Sequence, residues 1–366
     1  MKKYHYRNII GNLSLIVFSL TITLIVVEVG LRVIGYDAIS RSKNGREIIL
    51  QPSSNPDIKY ELVPGAKGHA WRTDVEINSH GHRGRKGTLG KFGGLRIITL
   101  GDSITFGNFL PLESTYAYQL HDILNEHRSE PEYEVLNFGV GGYDILQEVS
   151  LLKDRGLAYK PDIVVVGFCL NDVGIASPNL QYIARVQEYQ SRLIFRSRVA
   201  QFVAIAIDRI RIGRWMAYKN LPEVFQRDYE KKIARIGEDE HILRELMQRT
   251  SQQEYPSILY GNEPRIGRLR YAFEHLSELA KKENFSVVVV IFPQLVGEPN
   301  NYPHETAHKI VTLEANRVGF DVLEIIRDFM DVGMDKLKIS KKDTVHPNDK
   351  GHRIAAKKLA GYIRDK

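Results

Sequence analysis

The chain has 366 residues, 43% of them hydrophobic and 26% charged, which leaves room for an anchor, a main domain and a sizeable insertion and excludes a disordered polymer. Its one cysteine, Cys169, excludes an internal disulfide and a cysteine-based zinc cluster. The formal net charge of +7 is concentrated between residues 181 and 250, with 14 Lys and Arg against 9 Asp and Glu. No Lys/Arg-rich block with interleaved aromatics accompanies it, which argues against nucleic acid as a partner.

Residues Asn8 to Val27 carry no charge and are dominated by Ile, Leu, Val and Phe. As a helix this stretch spans roughly 30 Å, the thickness of a bilayer core. Lys2, Lys3 and Arg7 precede it, so the positive-inside tendency keeps the N-terminus cytoplasmic and places the rest of the chain in the periplasm or outside the cell. A cleaved signal peptide is the competing reading, but the run is long for one and no A-x-A-like site follows. Residues 1–36 therefore read as a single-pass transmembrane anchor with its flank.

Residues 37–94 read as a linker or extended arm, with Pro52, Pro56 and Pro64 and no sustained periodicity over 37–70. From Leu95 onward short apolar runs predict buried strands at Leu95–Leu100, Tyr133–Phe138, Ile163–Gly167, Val287–Phe292 and Val322–Ile326. Helical patterns lie between them, at Tyr116–Glu126, Ile145–Gly156, Gly267–Lys282, Glu305–Val318 and Asp349–Tyr362. This alternation predicts an α/β domain over 95–366, with a mostly parallel sheet covered on both faces and a site at the carboxyl ends of the strands. A helical insertion at about 175–264 interrupts it. Within that insertion, Ser191–Lys219 mixes Arg192, Arg196, Arg198, Arg209, Arg211 and Arg214 with Ile194, Phe202, Ile205, Ile207, Ile210 and Trp215. An ordinary cap packed on the domain is the simpler reading; a basic amphipathic helix lying on a membrane or over the cleft is the other.

Four short segments carry chemistry. Gly101-Asp102-Ser103-Ile104-Thr105-Phe106-Gly107 follows the first strand, where a serine in a tight turn can present its hydroxyl to a cleft. Asn137-Phe138-Gly139-Val140-Gly141-Gly142-Tyr143 follows the second, and there the Gly142 N–H, with Gly141 as competitor, can donate to an oxyanion. Gly167-Phe168-Cys169-Leu170-Asn171-Asp172 ends the third and offers the Asn171 amide. Asp343-Thr344-Val345-His346 precedes the last helix, and an acid three residues from a histidine can fix its imidazole. Taken singly, each segment is also an ordinary turn. His69, His80 and His82 lack metal-ligand spacing and read as polar loop residues.

Together and in this order the four segments resemble the blocks of the SGNH hydrolase superfamily, the GDSL-like esterases. Ile77-Asn78-Ser79-His80-Gly81-His82-Arg83-Gly84 is similar to the lead-in of its membrane-tethered bacterial members. The resemblance implies a flavodoxin-like three-layer fold with a five-stranded parallel sheet, and ester hydrolysis without metal or cofactor. It implies Ser103 as nucleophile, His346 as its base and Asp343 as the residue orienting His346. The oxyanion would be held by the Ser103 N–H, the Gly142 N–H and the Asn171 side chain. The chain departs from the pattern in the two extra residues between Gly167 and Asn171, which puts the role of Gly167 in question. The expected partner is an acylated small molecule, glycan or lipid of the cell envelope. O-acyl transfer through the same acyl-serine is the enzyme alternative, and a non-catalytic envelope-binding protein is a third reading.

Overall fold

The computed structural model describes residues 2–36, 49–128, 132–174, 177, 180–181, 183–185, 193–217, 241–298 and 301–366. Helix α1 (Lys2–Val33) opens the chain. Its Gly11–Val33 segment, 23 residues of mean hydropathy 2.3, has no fully buried residue and is long and apolar enough to cross a membrane.

The described part of the expected arm, 49–94, is more structured than its sequence predicts. Strands β1 (Leu50–Pro52) and β2 (Tyr60–Leu62) form one antiparallel pair, and β3 (Lys67–Ala70) and β4 (Thr73–Glu76) another. Ile49, Leu50, Ile58, Tyr60, Leu62, Ala70, Val75 and Ile77 enter the same buried cluster as the helices of the main domain. Removing this apolar surface from water favours docking the arm over leaving it free.

The main domain follows the predicted alternation: β5 (Leu95–Gly101), α2 (Ser103–Phe106), α3 (Tyr116–Leu124), β6 (Tyr133–Asn137), α4 (Ile145–Asp154) and β7 (Ile163–Cys169). The insertion supplies α5 (Arg198–Ala217) and α6 (His241–Thr250). The chain then returns through α7 (Glu263–Glu283), β8 (Ser286–Phe292), α8 (Glu305–Arg317), β9 (Asp321–Glu324), α9 (Ile326–Val332), α10 (Met334–Leu337) and α11 (Asp349–Arg364).

The sheet has five parallel strands in the order β6-β5-β7-β8-β9. The Val and Ile runs suit it because a parallel strand buried on both faces needs no polar side, and β7 is buried at all seven residues. Period-2 alternation divides the core in two. Ile98, Leu100, Val164, Val166, Val289 and Ile291 face α4, α7, α8 and the arm, while Ile97, Val165, Val288, Val290 and Phe292 face α3 and α11. Side-chain caps start the covering helices: Thr115 for α3, Asp144 in a capping box with Gln147 for α4, Asn262 for α7 and Asn348 for α11.

Helix α5 sits beside α1. The Glu28 carboxylate of α1 accepts hydrogen bonds from Ser197 Oγ at 2.8 Å and Val199 N at 2.9 Å, and pairs with Arg32 at 2.7 Å. A carboxylate at a helix N-terminus satisfies backbone donors that have no partner within the helix. On α5, Gln201 and Ile205 are buried while Phe202, Val203, Ile207 and Ile210 are exposed, so the helix turns one side inward and leaves apolar side chains on the other. Arg192 and residues 218–240 of the expected insertion lie outside the described residues, as do the side chains of Arg209, Arg211, Arg214 and Trp215.

Candidate active site

The site forms where β5, β6 and β7 end. Gly101 closes β5 with φ +152°, and a Cβ there would lie 2.1 Å from Thr105 Oγ1, so the turn admits no side chain. Asp102 follows as N-cap of α2, its Oδ1 accepting Ile104 N at 2.9 Å. Ser103 is thereby the first residue of a short helix and is 8% exposed. The other end of α2 is held by Arg83, whose guanidinium is buried and donates to Phe106 O at 2.8 Å, Gly107 O at 2.8 Å and Leu110 O at 2.7 Å. It also lies 4.9 Å from the centre of the Phe106 ring. Burial pushes its pKa down to about 10, which leaves it charged at neutral pH.

From the opposite side of the sequence, the loop before α11 brings in Asp343 and His346. His346 Nδ1 lies 2.9 Å from Asp343 Oδ2, and His346 Nε2 lies 3.0 Å from Ser103 Oγ. Asp343 Oδ1 accepts the backbone N–H groups of Val345 and His346, both at 2.9 Å, which locks the Asp-x-x-His turn. The carboxylate position makes Nδ1 the protonated nitrogen and leaves Nε2 as the acceptor facing the serine. The Phe109 ring packs edge-on to His346, centre to centre 5.2 Å.

Burial pushes the Asp343 carboxyl up, but hydrogen bonds from the His346 ring and from the His346 and Val345 backbone outweigh it and hold the pKa at about 2, below its ordinary 3.8. A depressed carboxyl pKa contributes stability that is present above the unfolded value and lost as pH falls through the folded one. The melting-temperature difference between the native protein and Asp343→Asn is thus expected to be full above pH 3.8 and to shrink toward pH 2. A difference that stays constant across that window in thermal melts would show that the Asp343 pair is not the source.

The three residues expected to face an oxyanion follow three neighbouring strands: Ser103 comes just after β5, Gly142 lies in the loop after β6 and Asn171 in the turn after β7. Ser103 N and Gly142 N have no acceptor among the described residues. Gly142 has φ +75°, and a Cβ there would lie 2.7 Å from Ser177 Cβ, so only glycine fits. Asn171 lies in the turn after β7, and its Nδ2 donates to Asp102 Oδ2 at 3.2 Å. The same oxygen lies 3.1 Å from Ser103 Oγ. Ser103 therefore has two acceptors for one proton, Asp102 and His346, while the Asn171 amide has a second N–H to offer. Asp102 is a neighbour the sequence did not mark as part of the site. Beneath it Glu148 and Asp172 are fully buried. Burial, with added repulsion from Asp102 and Asp144 on both and from Glu148 on Asp172, pushes both pKa values well up and favours the protonated forms.

Gly167 is not at the strand end. Strand β7 continues to Cys169, and Gly167 pairs with Gly101 within the sheet, so the two extra residues lengthen the strand and leave Asn171 at its mouth. His82, expected as a polar loop residue, is buried and stacks on Phe138 with ring centres 4.8 Å apart; burial lowers its pKa to about 4. His69 is paired with Asp74 at 2.9 Å on β3–β4, and His80 meets Tyr159 Oη at 2.5 Å. Tyr60 and Arg83, both buried beside the site, were not given a role by the sequence, because a lone tyrosine or arginine in a loop carries no sign of burial.

Solved structures similar to this chain include the acetyl xylan esterase AlAXEase, with a TM-score of 0.42 and 16% identity, covering 74% of this chain and 100% of its own. Axe2, an acetylxylan esterase from Geobacillus stearothermophilus, gives a TM-score of 0.40 at 14% identity and covers 74% and 94%. A two-domain esterase (CEX) active on acetylated mannans, co-crystallized with mannopentaose, gives 0.39 at 15% identity and covers 75% and 50%. No curated protein matches the sequence. The GDSL-like Lipase/Acylhydrolase family, however, matches residues 99–354, from within β5 into α11 and across every strand-end segment of the site: the chain belongs to this family of ester-hydrolysing enzymes.

Proposed function

We propose that the protein is a membrane-anchored serine esterase that removes acyl groups, acetyl among them, from a glycan or lipid of the cell envelope. The observation that carries the mechanism is the continuous line from Asp343 to His346 to Ser103, with contacts of 2.9 and 3.0 Å. In this reading His346 Nε2 takes the Ser103 proton as Oγ attacks the ester carbonyl carbon. The carbonyl oxygen, now negative, is held by the Ser103 and Gly142 N–H groups and the free N–H of Asn171. Asp343 keeps the imidazole in the required tautomer and stabilises it once protonated. His346 then returns the proton to the leaving alcohol oxygen, and a water, deprotonated by the same nitrogen, releases the acid from the acyl-serine.

The full chain in detergent is expected to release free acetate from p-nitrophenyl acetate with no added acceptor. Acetate and acylated product are measured in parallel, with and without envelope sugars. Turnover that appears only with an acceptor, with the acetyl group recovered on the sugar, replaces hydrolysis by O-acyl transfer. No turnover and no Ser103 adduct with a fluorophosphonate would leave a binding protein.

The anchor reading places the N-terminus in the cytoplasm and the esterase domain periplasmic or extracellular, supported by the apolar length of α1 and the basic Lys2, Lys3 and Arg7 before it. A reporter that works only in the cytoplasm, fused at the C-terminus, is expected to be silent. An active reporter reverses the orientation.

A further inference from the structure

We propose that Tyr60, in the arm that precedes the family-matched region, is a positioning residue that aims the Gly142 N–H at the oxyanion. The inference rests on the reading of Gly142 as an oxyanion donor and adds to it what holds that donor in place. Tyr60 is completely buried, and its hydroxyl donates to Gly141 O at 2.9 Å. The Gly141 carbonyl and the Gly142 N–H belong to one peptide unit, which is planar and trans, so they point in opposite directions. Fixing the carbonyl on one side fixes the N–H on the other. That constraint matters here because two consecutive glycines have no Cβ to restrict rotation of the peptide between them.

The donor is itself held. Tyr143 Oη donates to Tyr60 O, Gln147 Nε2 donates to Ile58 O, and the Tyr60 and Tyr143 rings meet edge-on at 5.2 Å. The arm therefore grips the loop that carries Gly142, and the loop grips the arm. Beyond Gly142 the chain is tied again, since Gly142 O accepts Ser177 N at 2.8 Å. Burial keeps the Tyr60 phenol pKa well above its ordinary value, so the hydroxyl retains the proton it donates.

The test is Tyr60→Phe in the full chain, which removes the hydroxyl and keeps the ring. An optimally placed oxyanion donor accounts for about 10²–10³ in kcat, and a donor left to rotate loses part of that. The expected result is a fall in kcat of about tenfold or more with KM unchanged within about twofold, and a matching loss of affinity for a boronate transition-state analogue. Asn171→Ala, expected to lower turnover by about 10²-fold, is measured alongside as the control for the oxyanion site. Normal kcat in Tyr60→Phe with impaired Asn171→Ala overturns the role of Tyr60 and leaves the oxyanion site standing. Normal kcat in both overturns the oxyanion reading itself. If turnover per folded molecule returns to the native level well below the melting temperature, the hydroxyl only stabilises the fold and the proposal is likewise overturned.

Discussion

Replacing Ser103 with alanine is expected to lower kcat/KM for p-nitrophenyl acetate by about 10⁴-fold or more, because both the hydrolase and the transferase readings require a covalent acyl-serine. In the proposed mechanism the residual rate would come from substrate binding and the oxyanion donors, which the substitution leaves in place. The fold has little reason to change. The serine side chain ends in hydrogen bonds to Asp102 at 3.1 Å and His346 at 3.0 Å, and both partners keep others: Asn171 Nδ2 and Ile104 N on Asp102, and Asp343 on His346. A melting temperature within a few degrees of native therefore accompanies the lost activity. Steady-state kinetics on protein shown to be folded decide the matter; a loss of less than tenfold would remove Ser103 from the mechanism.

Arg83→Met is expected to give the largest loss of stability of any single substitution near the site, about 3–5 kcal/mol. The methionine keeps much of the apolar stem but leaves Phe106 O and Leu110 O without the donor that now meets them at 2.8 and 2.7 Å, while Gly107 O loses the guanidinium and keeps only Leu110 N at 3.2 Å. Each unsatisfied buried acceptor costs about 1–3 kcal/mol. Water can recover part of this only by entering a space now filled by a guanidinium that is 1% exposed. Because the Phe106 and Gly107 carbonyls end the helix that begins with Ser103, esterase activity should fall along with stability. Urea unfolding of the full chain in detergent measures the change. A loss under about 1 kcal/mol would mean that the carbonyls find other donors and that Arg83 is not what holds the helix.

The parallel strands were legible in the sequence because strands buried on both faces must be apolar throughout, and runs such as Val287–Phe292 satisfy no other element of that length. Asp343 and His346 were legible because their pairing is local, closed by a four-residue turn. The contact from His346 to Ser103 spans 243 positions, and no spacing rule reaches that far; it was inferred only from the order of the blocks. The arm was not legible as a packed element. Its strands are three or four residues long, and β3 and β4 place exposed Lys67, His69, Asp74 and Glu76 around single buried positions, which leaves no sustained period. Glu28 could be noticed at the end of the apolar run, but its partners Ser197 and Val199 lie 169 and 171 positions away in the sequence.

The arm's burial separates the limits of sequence likeness from the limits of a self-sufficient folding unit. A soluble enzyme trimmed to begin at Leu95 would lose Ile58, Tyr60, Leu62 and Val75 from a core they share with α4 and α7, and would lose Arg83 from the end of α2. The face left behind is apolar and contiguous, the kind of surface that drives association between copies of a protein. The shortest piece able to refold after dilution from denaturant should therefore begin upstream of Ile49, well before the first residue that identifies the family.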